Sequence, residues 1–371
     1  MPLEFYVRAY NIEAGIIEEA IREGIFFDGL VMDASVASYF GRPTARVRDA
    51  ARNQERAFII DPVTHKLRSP HFRDKASYRR LSYYEGELPS LQHLQANSAG
   101  LVRQVIETER ELGATILVSP YLYIPAAGGE ASLRVCRAWI DAFRRETQEL
   151  GLSIFWSICA HVDNLCIPEG REAILNLVRE KHLDPVYLLL TDFELGDSAT
   201  IDAGARNFID AARTGGVREI IYSHAPFWIY LLEPVGITAF ISGVNYLATL
   251  KESYITRQEE IGGIEHNYYV AKRFLKMRPE NLEEALAQGM LEPCECPACQ
   301  HGVPYDRNRI REHYLFARRA ETDELNATQN RRDLLRQWLE ETEEFVSACN
   351  YAGIRIAGRQ PATAAWRTFL G

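Results

Sequence analysis

The sequence has no apolar run long enough to span a bilayer, which takes about 20 predominantly apolar residues in a helix. Its opening, MPLEFYVRAYNIEAG, has neither a basic stretch nor an apolar h-region, so no secretory signal is read there and a cytoplasmic protein is expected. Internal repeats and low-complexity linkers are missing. No glycine-rich phosphate fingerprint follows the first strand candidate, which counts against a dinucleotide-binding sheet. There is no H-x-H or H-x-x-x-H pair, which counts against a catalytic metal held by paired histidines. A basic coat is absent too, since the net charge is −9. That excludes a uniformly cationic protein but not local basic patches.

What is present is an ordinary globular composition, 47% hydrophobic and 25% charged over 371 residues, enough for one large barrel with an appendage. Short β-rich runs alternate with amphipathic stretches: GLVMD (29–33), AFIID (57–61), ATILVSP (114–120), LSIFWSICA (152–160), PVYLLLTD (185–192), REIIYSH (218–224) and ITAFIS (237–242). Continuous apolar strands joined by helices imply a parallel sheet covered on both faces. Several helical stretches end in Gly just before the next strand, as C-caps do. Seven or eight such units fit an α/β fold of the (β/α)8 TIM-like type, expected over 1–285, with a helical subdomain carrying three close-spaced cysteines, and a tail, over 286–371.

In such barrels the chemistry sits at the C-terminal strand ends. That rule selects Asp33, Asp61, Ser119, His161, Asp163, Asp192, His224 and Ser242. Asp192 and Glu194 make an acidic strand end suited to a ligand's N–H donors. His224 precedes Pro226, Phe227 and Trp228, a candidate apolar wall for stacking a base. Tyr121, Tyr123 and the aromatic-basic run GGIEHNYYVAKRF (262–274) are further stacking candidates, each also readable as ordinary packing. Arginine clusters at 42–56, 73–80 and 307–321 are read as solvated helix faces or phosphate contacts.

Seven cysteines are an odd count, and reduced thiols are expected. Cys136, Cys159, Cys166 and Cys349 lie among apolar residues and read as small buried hydrophobes. Cys294, Cys296 and Cys299 differ, standing at C-x-C-x-x-C spacing. Three thiolates so close call for a cation, and zinc is expected, in a structural role; a reactive redox thiol is the alternative.

The C-x-C-x-x-C run, with the segment REHYLFARRAETDELNATQNRRDLLRQWL behind it and IIYSHAPFWIYLLEPVGITAFISGVNY (220–246) ahead of it, resembles the tRNA-guanine transglycosylase family of the queuine and archaeosine type. The likeness spans roughly residues 25–350. The cysteine motif is specific, and the rest is order and pattern. The resemblance implies a pentosyltransferase, a transferase of the glycosyltransferase class, that exchanges guanine for a 7-deazaguanine base in nucleic acid. A carboxylate nucleophile and an acid/base carboxylate would serve it.

Residue by residue, Asp61 in AFIIDPVTHKLR matches the family's acid/base position, with Asp33 as its rival. The run DPVTHKL resembles a branch that modifies DNA, the DpdA type of bacteria and phages, so DNA modification is expected ahead of tRNA. Asp33, Asp163 and His224 are expected to bind substrate. Ile241 stands where the family's nucleophile is expected; Asp192 or Asp163 takes over, or activity is lost as in a silent subunit that binds nucleic acid or a partner protein. A homodimer or partner proteins are compatible with either course. Gln329 stands where the family has its fourth zinc ligand. His301 follows Cys299 too closely to fold back, and His313 is expected to be the ligand.

Overall fold

The structure, a computed structural model, describes residues 1–244, 250–256 and 267–371. Strands β1 (Glu4–Ala9), β2 (Gly29–Asp33), β3 (Ala57–Asp61), β4 (Ile116–Val118), the two-residue β5 (Tyr123–Ile124), β6 (Ser153–His161), β7 (Val186–Thr191), β8 (Ile220–Ser223) and β9 (Ala239–Gly243) form one parallel sheet. β1 pairs with both β2 and β9, and β4 pairs with β6, so eight strands close into a barrel and β5 adds a second short partner to β6. Helices run between the strands, and the expected (β/α)8 barrel is the observed fold. Among the described residues no helix is long and apolar enough to cross a membrane.

The barrel closes because its strands bury both faces. Alternate residues point opposite ways, and Tyr6, Val31, Ile59, Val118, Phe155, Tyr187, Leu189, Ile221 and Ile241 meet in the interior. Their neighbours Phe5, Val7, Leu30, Met32, Phe58, Ile60, Leu188 and Phe240 pack under the helices. Each such side chain contributes about 1.5–3 kcal/mol when fully buried. Gly29 is required where it stands, because a Cβ there would lie 2.5 Å from the Tyr6 ring.

β1 and the two-residue β5 are the barrel-sheet strands absent from the sequence reading, and β1 supplies the closing edge. The seven strands expected start and end within two residues of their expected limits. Beyond β9, the antiparallel hairpin of β10 (Tyr268–Val270) and β11 (Leu275–Met277) joins the helices Pro279–Ala287, Arg307–Ala327 and Arg331–Ala352. Tyr314, Leu315 and Leu325 of the middle helix pack into the barrel's main core, while the hairpin and the first and last of these helices share a separate apolar cluster with Leu282, Cys299, Phe345 and Ile354. That cluster begins at Tyr268, upstream of residue 286.

Candidate active site and metal centre

The metal centre is built from a tight turn and one helix. Cys299 donates its amide to the Cys296 carbonyl at 2.8 Å, curling Pro297–Cys299 so that the thiols converge. Asp306 caps the next helix, its carboxylate accepting the amides of Asn308 and Arg309, and so fixes where His313 emerges. The Nδ1 of His313 lies 3.6 Å from the Cys294 Sγ and 3.4 Å from the sulfurs of Cys296 and Cys299. Zn–S bonds of about 2.3 Å and a Zn–N bond of about 2.0 Å at tetrahedral angles give S–N edges of about 3.5 Å. All four ligand atoms lie within 4.8 Å of one another. The His313 Nε2 faces the Tyr269 carbonyl at 2.8 Å, which leaves Nδ1 the free lone pair. Tyr268 stacks on the imidazole with centroids 3.9 Å apart. Three thiolates and an imidazole in a closed tetrahedron make a structural donor set that suits zinc. His301 is exposed and outside the cluster, so the expectation of His313 matches the geometry.

At the barrel mouth Arg8, 2% exposed, anchors a polar network. Its guanidinium donates to Asp33, to Asp61 at 2.7 Å, to the Tyr187 hydroxyl at 2.5 Å and to the Ser223 hydroxyl at 3.0 Å. Asp33 and Asp61 stand opposite each other in the β2–β3 register, which is why one arginine fork reaches both. Asp61 also accepts from the Tyr121 hydroxyl at 2.6 Å, the Tyr187 hydroxyl at 2.8 Å and the Val63 amide at 2.9 Å. Burial alone would raise the Asp61 pKa, but Arg8 and the Tyr121 hydrogen bond outweigh it and hold the carboxyl well below the usual range. Lys66 lies 3.6 Å from Asp33. Burial opposes its charge, yet Tyr78, Asp33, Tyr10 and Asp61 more than offset this and its pKa is raised. Two cations therefore balance two carboxylates.

A second group lies at the ends of β6 and β7. His161 places Nδ1 3.4 Å from Asp163 and Nε2 3.7 Å from Asp192. Asp192 adopts φ 56°, in the left-handed region that Asp tolerates better than most residues. Its Oδ2 accepts the Glu252 amide at 2.7 Å, and Glu252 in turn accepts the Tyr123 hydroxyl at 2.9 Å. The Asp192 side chain is 37% exposed, so this carboxylate, unlike Asp61, is open to a ligand.

The remaining expected residues have other partners. His224, φ 58°, bonds Ser223 through Nδ1 and so joins the Arg8 network. Burial, then Arg8 and Lys66, depress its pKa and keep it neutral. The apolar wall beside it, Pro226, Phe227 and Trp228, lines a cavity of about 250 Å³ with Glu194. Trp228 is buried against Phe193 and donates to Glu194 at 2.6 Å, while Phe227 stacks on Tyr269 and carries the Lys276 ammonium at 4.4 Å. Ser119 accepts the Ser157 amide, and Ser242 bonds the Tyr314 hydroxyl; both are braces.

Ile241 is fully buried in the barrel interior. Cys136, Cys159 and Cys349 are buried as expected, and Cys166 is half-buried. In the arginine clusters, Arg46 pairs with Glu18, Arg309 with Glu23 and Glu312, and Arg319 with Asp28 and Asp323. Arg79 pairs with Asp74, and Arg318 is entirely buried. Residues 262–266 of the aromatic-basic run and 245–246 of the resembling segment lie outside the described residues. Arg8, Lys66, Tyr187 and Glu252 were not singled out from sequence; an arginine in the inward register of a barrel strand is the signal that would have found the first.

No protein-family model matches the chain, and no curated protein matches it. Among solved structures it is similar to a psychrophilic family 10 endo-β-1,4-xylanase, at 11% identity over 65% of this chain and 86% of that one, TM-score 0.41. A D-psicose 3-epimerase matches at 16% identity over 65% and 84%, TM-score 0.35. A dihydrodipicolinate synthase matches at 10% over 99% and 98%, TM-score 0.35. At these identities and scores the likenesses assign no activity.

Proposed function

We propose that the chain is a transglycosylase-like enzyme that exchanges guanine for a 7-deazaguanine base in nucleic acid, DNA ahead of tRNA, with zinc as a structural ion in the cysteine centre. The observation that carries this reading is the closed Cys294–Cys296–Cys299–His313 cluster, set at C-x-C-x-x-C spacing behind a (β/α)8 barrel whose mouth presents carboxylates. Zinc held by four ligands has no open position, so the reaction belongs to the barrel.

In this reading Asp192 is the nucleophile. Its carboxylate bonds the sugar C1′ as the C1′–N9 bond breaks, and the electron pair leaves with guanine, which takes up a proton. The incoming base gives up its own N9 proton, bonds C1′ and expels Asp192, so protons balance over the cycle. His161, between Asp163 and Asp192, is placed to carry that proton. A general acid must hold a proton at the working pH. Asp61 is held ionised with both oxygens engaged, so with Asp33 it acts as fixed charge that orients Arg8, Tyr121 and Tyr187. A base-exchange assay with radiolabelled guanine, in tRNA and in duplex DNA with zinc present, tests the claim; no incorporation in either would sink it.

One observation favours a silent relative on the same scaffold: the residue matching the family's nucleophile, Ile241, is sealed in the barrel. A covalent adduct with DNA or tRNA trapped under denaturing conditions excludes that reading.

A further inference from the structure

His65 is 2% exposed, and neither ring nitrogen has a hydrogen-bond partner among the described residues. Each buried polar atom left unpaired costs about 1–3 kcal/mol, so two on one ring mark a position held for something other than stability. The ring is not loose. It stacks on Tyr121 with centroids 5.1 Å apart and an interplanar angle of 16°. The Tyr121 hydroxyl is fixed by Asp61, and its backbone exchanges hydrogen bonds with the Thr64 hydroxyl in both directions at 2.8 Å.

The turn that carries the ring is strained as well. Val63 has φ 49°, a left-handed conformation that a β-branched residue rarely adopts, and its amide is held by Asp61. Strain of this kind persists only where the surroundings over-determine it, and it concentrates at ligand sites.

The electrical setting narrows the ligand. Lys66 and Arg8 face the ring but are matched by Asp33 and Asp61, so the surroundings balance. Burial first, then Lys66, keep the imidazole neutral, with Asp61 pulling the other way and Arg8 adding a smaller push towards neutrality. A neutral imidazole offers one donor and one acceptor. Such a group suits an uncharged partner that carries both kinds of atom at one edge, not a phosphate.

We infer that His65 binds the edge of a neutral, lactam-bearing heterocyclic base at the barrel mouth. The inference deepens the transglycosylase reading and rests on it: His65 is a residue that recognises the exchanged base.

The test uses the full chain with its zinc and 7-deazaguanine as the probe, with binding followed by calorimetry for wild type, His65→Phe and His65→Asn. Phe keeps the ring volume and the stack while removing both nitrogens. Affinity is expected to fall about tenfold or more in His65→Phe, with an unchanged or higher melting temperature because two unpaired atoms are gone. His65→Asn, which restores a donor and an acceptor, should recover part of the loss. If wild type binds the probe and His65→Phe binds it equally, the inference fails while the transglycosylase reading stands. A lower melting temperature in His65→Phe would show a structural role and also overturns it. If wild type binds inorganic phosphate there and no base, the inference falls; if it also exchanges no base, both readings fall together.

Discussion

Replacing Arg8 with Met is the sharpest test of the mouth. Arg8 is the shared counter-ion of Asp33 and Asp61 and also holds Tyr187 and Ser223. Removing one partner of a buried ion pair strands the other charge and costs about 3–5 kcal/mol. At about 2.1 cal/mol/K of unfolding entropy per residue, 371 residues give about 0.8 kcal/mol/K, so the melting temperature should drop by about 4–6 °C. Arg8→Lys should recover less than half, since a point charge cannot reach both carboxylates as a fork does.

The pH dependence fixes the cause. In wild type the Asp61 pKa is depressed, so its stabilisation is present above the unfolded value near 3.9 and is lost as pH falls through the folded one. Without Arg8, burial is opposed only by the hydrogen bonds from Tyr121, Tyr187 and Val63, so that pKa should rise and the deficit of the variant should shrink as the pH is lowered. The double variant Arg8→Met with Asp61→Asn should recover at least about 2 kcal/mol of coupling. Denaturant titrations at pH 5 and 8 read all of this. A loss below about 1 kcal/mol, the level of an exposed pair, refutes the buried-network account.

Three further outcomes follow from the geometry. His313→Ala should lower zinc affinity more than about 100-fold, since even outer-shell changes cost 10–100-fold; metal analysis after gel filtration that still finds full occupancy would contradict it. His65, neutral and buried, has a depressed pKa, so the unfolded chain binds the extra proton below about pH 6.5. The stability of the fold should therefore fall, through this group, by about 1.4 kcal/mol per pH unit as pH drops below that value. His65→Phe should lack that slope, and parallel slopes in the two proteins would show a solvated ring. Asp192→Asn keeps a residue that tolerates φ 56° and should abolish adduct formation without changing the melting temperature. Base exchange at the wild-type rate would move the nucleophile elsewhere.

The barrel was legible because its strands are apolar on both faces, a pattern that survives without knowledge of partners. β1 escaped because Glu4 and Arg8 break its apolar run, and a charge in a strand reads as solvent-facing unless the strand is known to be inside a barrel. The cost of missing it was Arg8, around which the mouth is organised. His313 was legible because four ligands must close a tetrahedron and few histidines are in reach. The arginine clusters were legible only in part, because beside their near neighbours they have partners distant in sequence: Glu18 for Arg46, Glu23 for Arg309 and Asp28 for Arg319. Tyr187 sits inside an apolar run, and only the closed register reveals its hydroxyl under Asp61. At the expected stacking wall, Phe227 and Trp228 pack against Tyr269 and Phe193, partners that are distant in sequence and hidden from it.

The metal centre and the mouth are connected by one rod. The helix Arg307–Ala327 carries His313 near its start, and the next residue, Tyr314, bonds Ser242 at the end of β9. About one turn on, Arg318 donates to the carbonyls of Phe227 and Pro226 just past β8, with Tyr230 under its guanidinium at 4.3 Å. Near the far end Asn326 exchanges hydrogen bonds with the backbone of Leu3, next to β1. β8, β9 and β1 are neighbours in the barrel, and they carry Ser223, Ser242 and Arg8. A metal that fixes the first third of this helix therefore fixes the height at which Tyr314 and Arg318 meet the barrel. A metal bound there would need no contact with substrate to matter: its removal should loosen the end of the helix that braces β8 and β9, while the contacts of Asn326 with Leu3 hold the other end on β1.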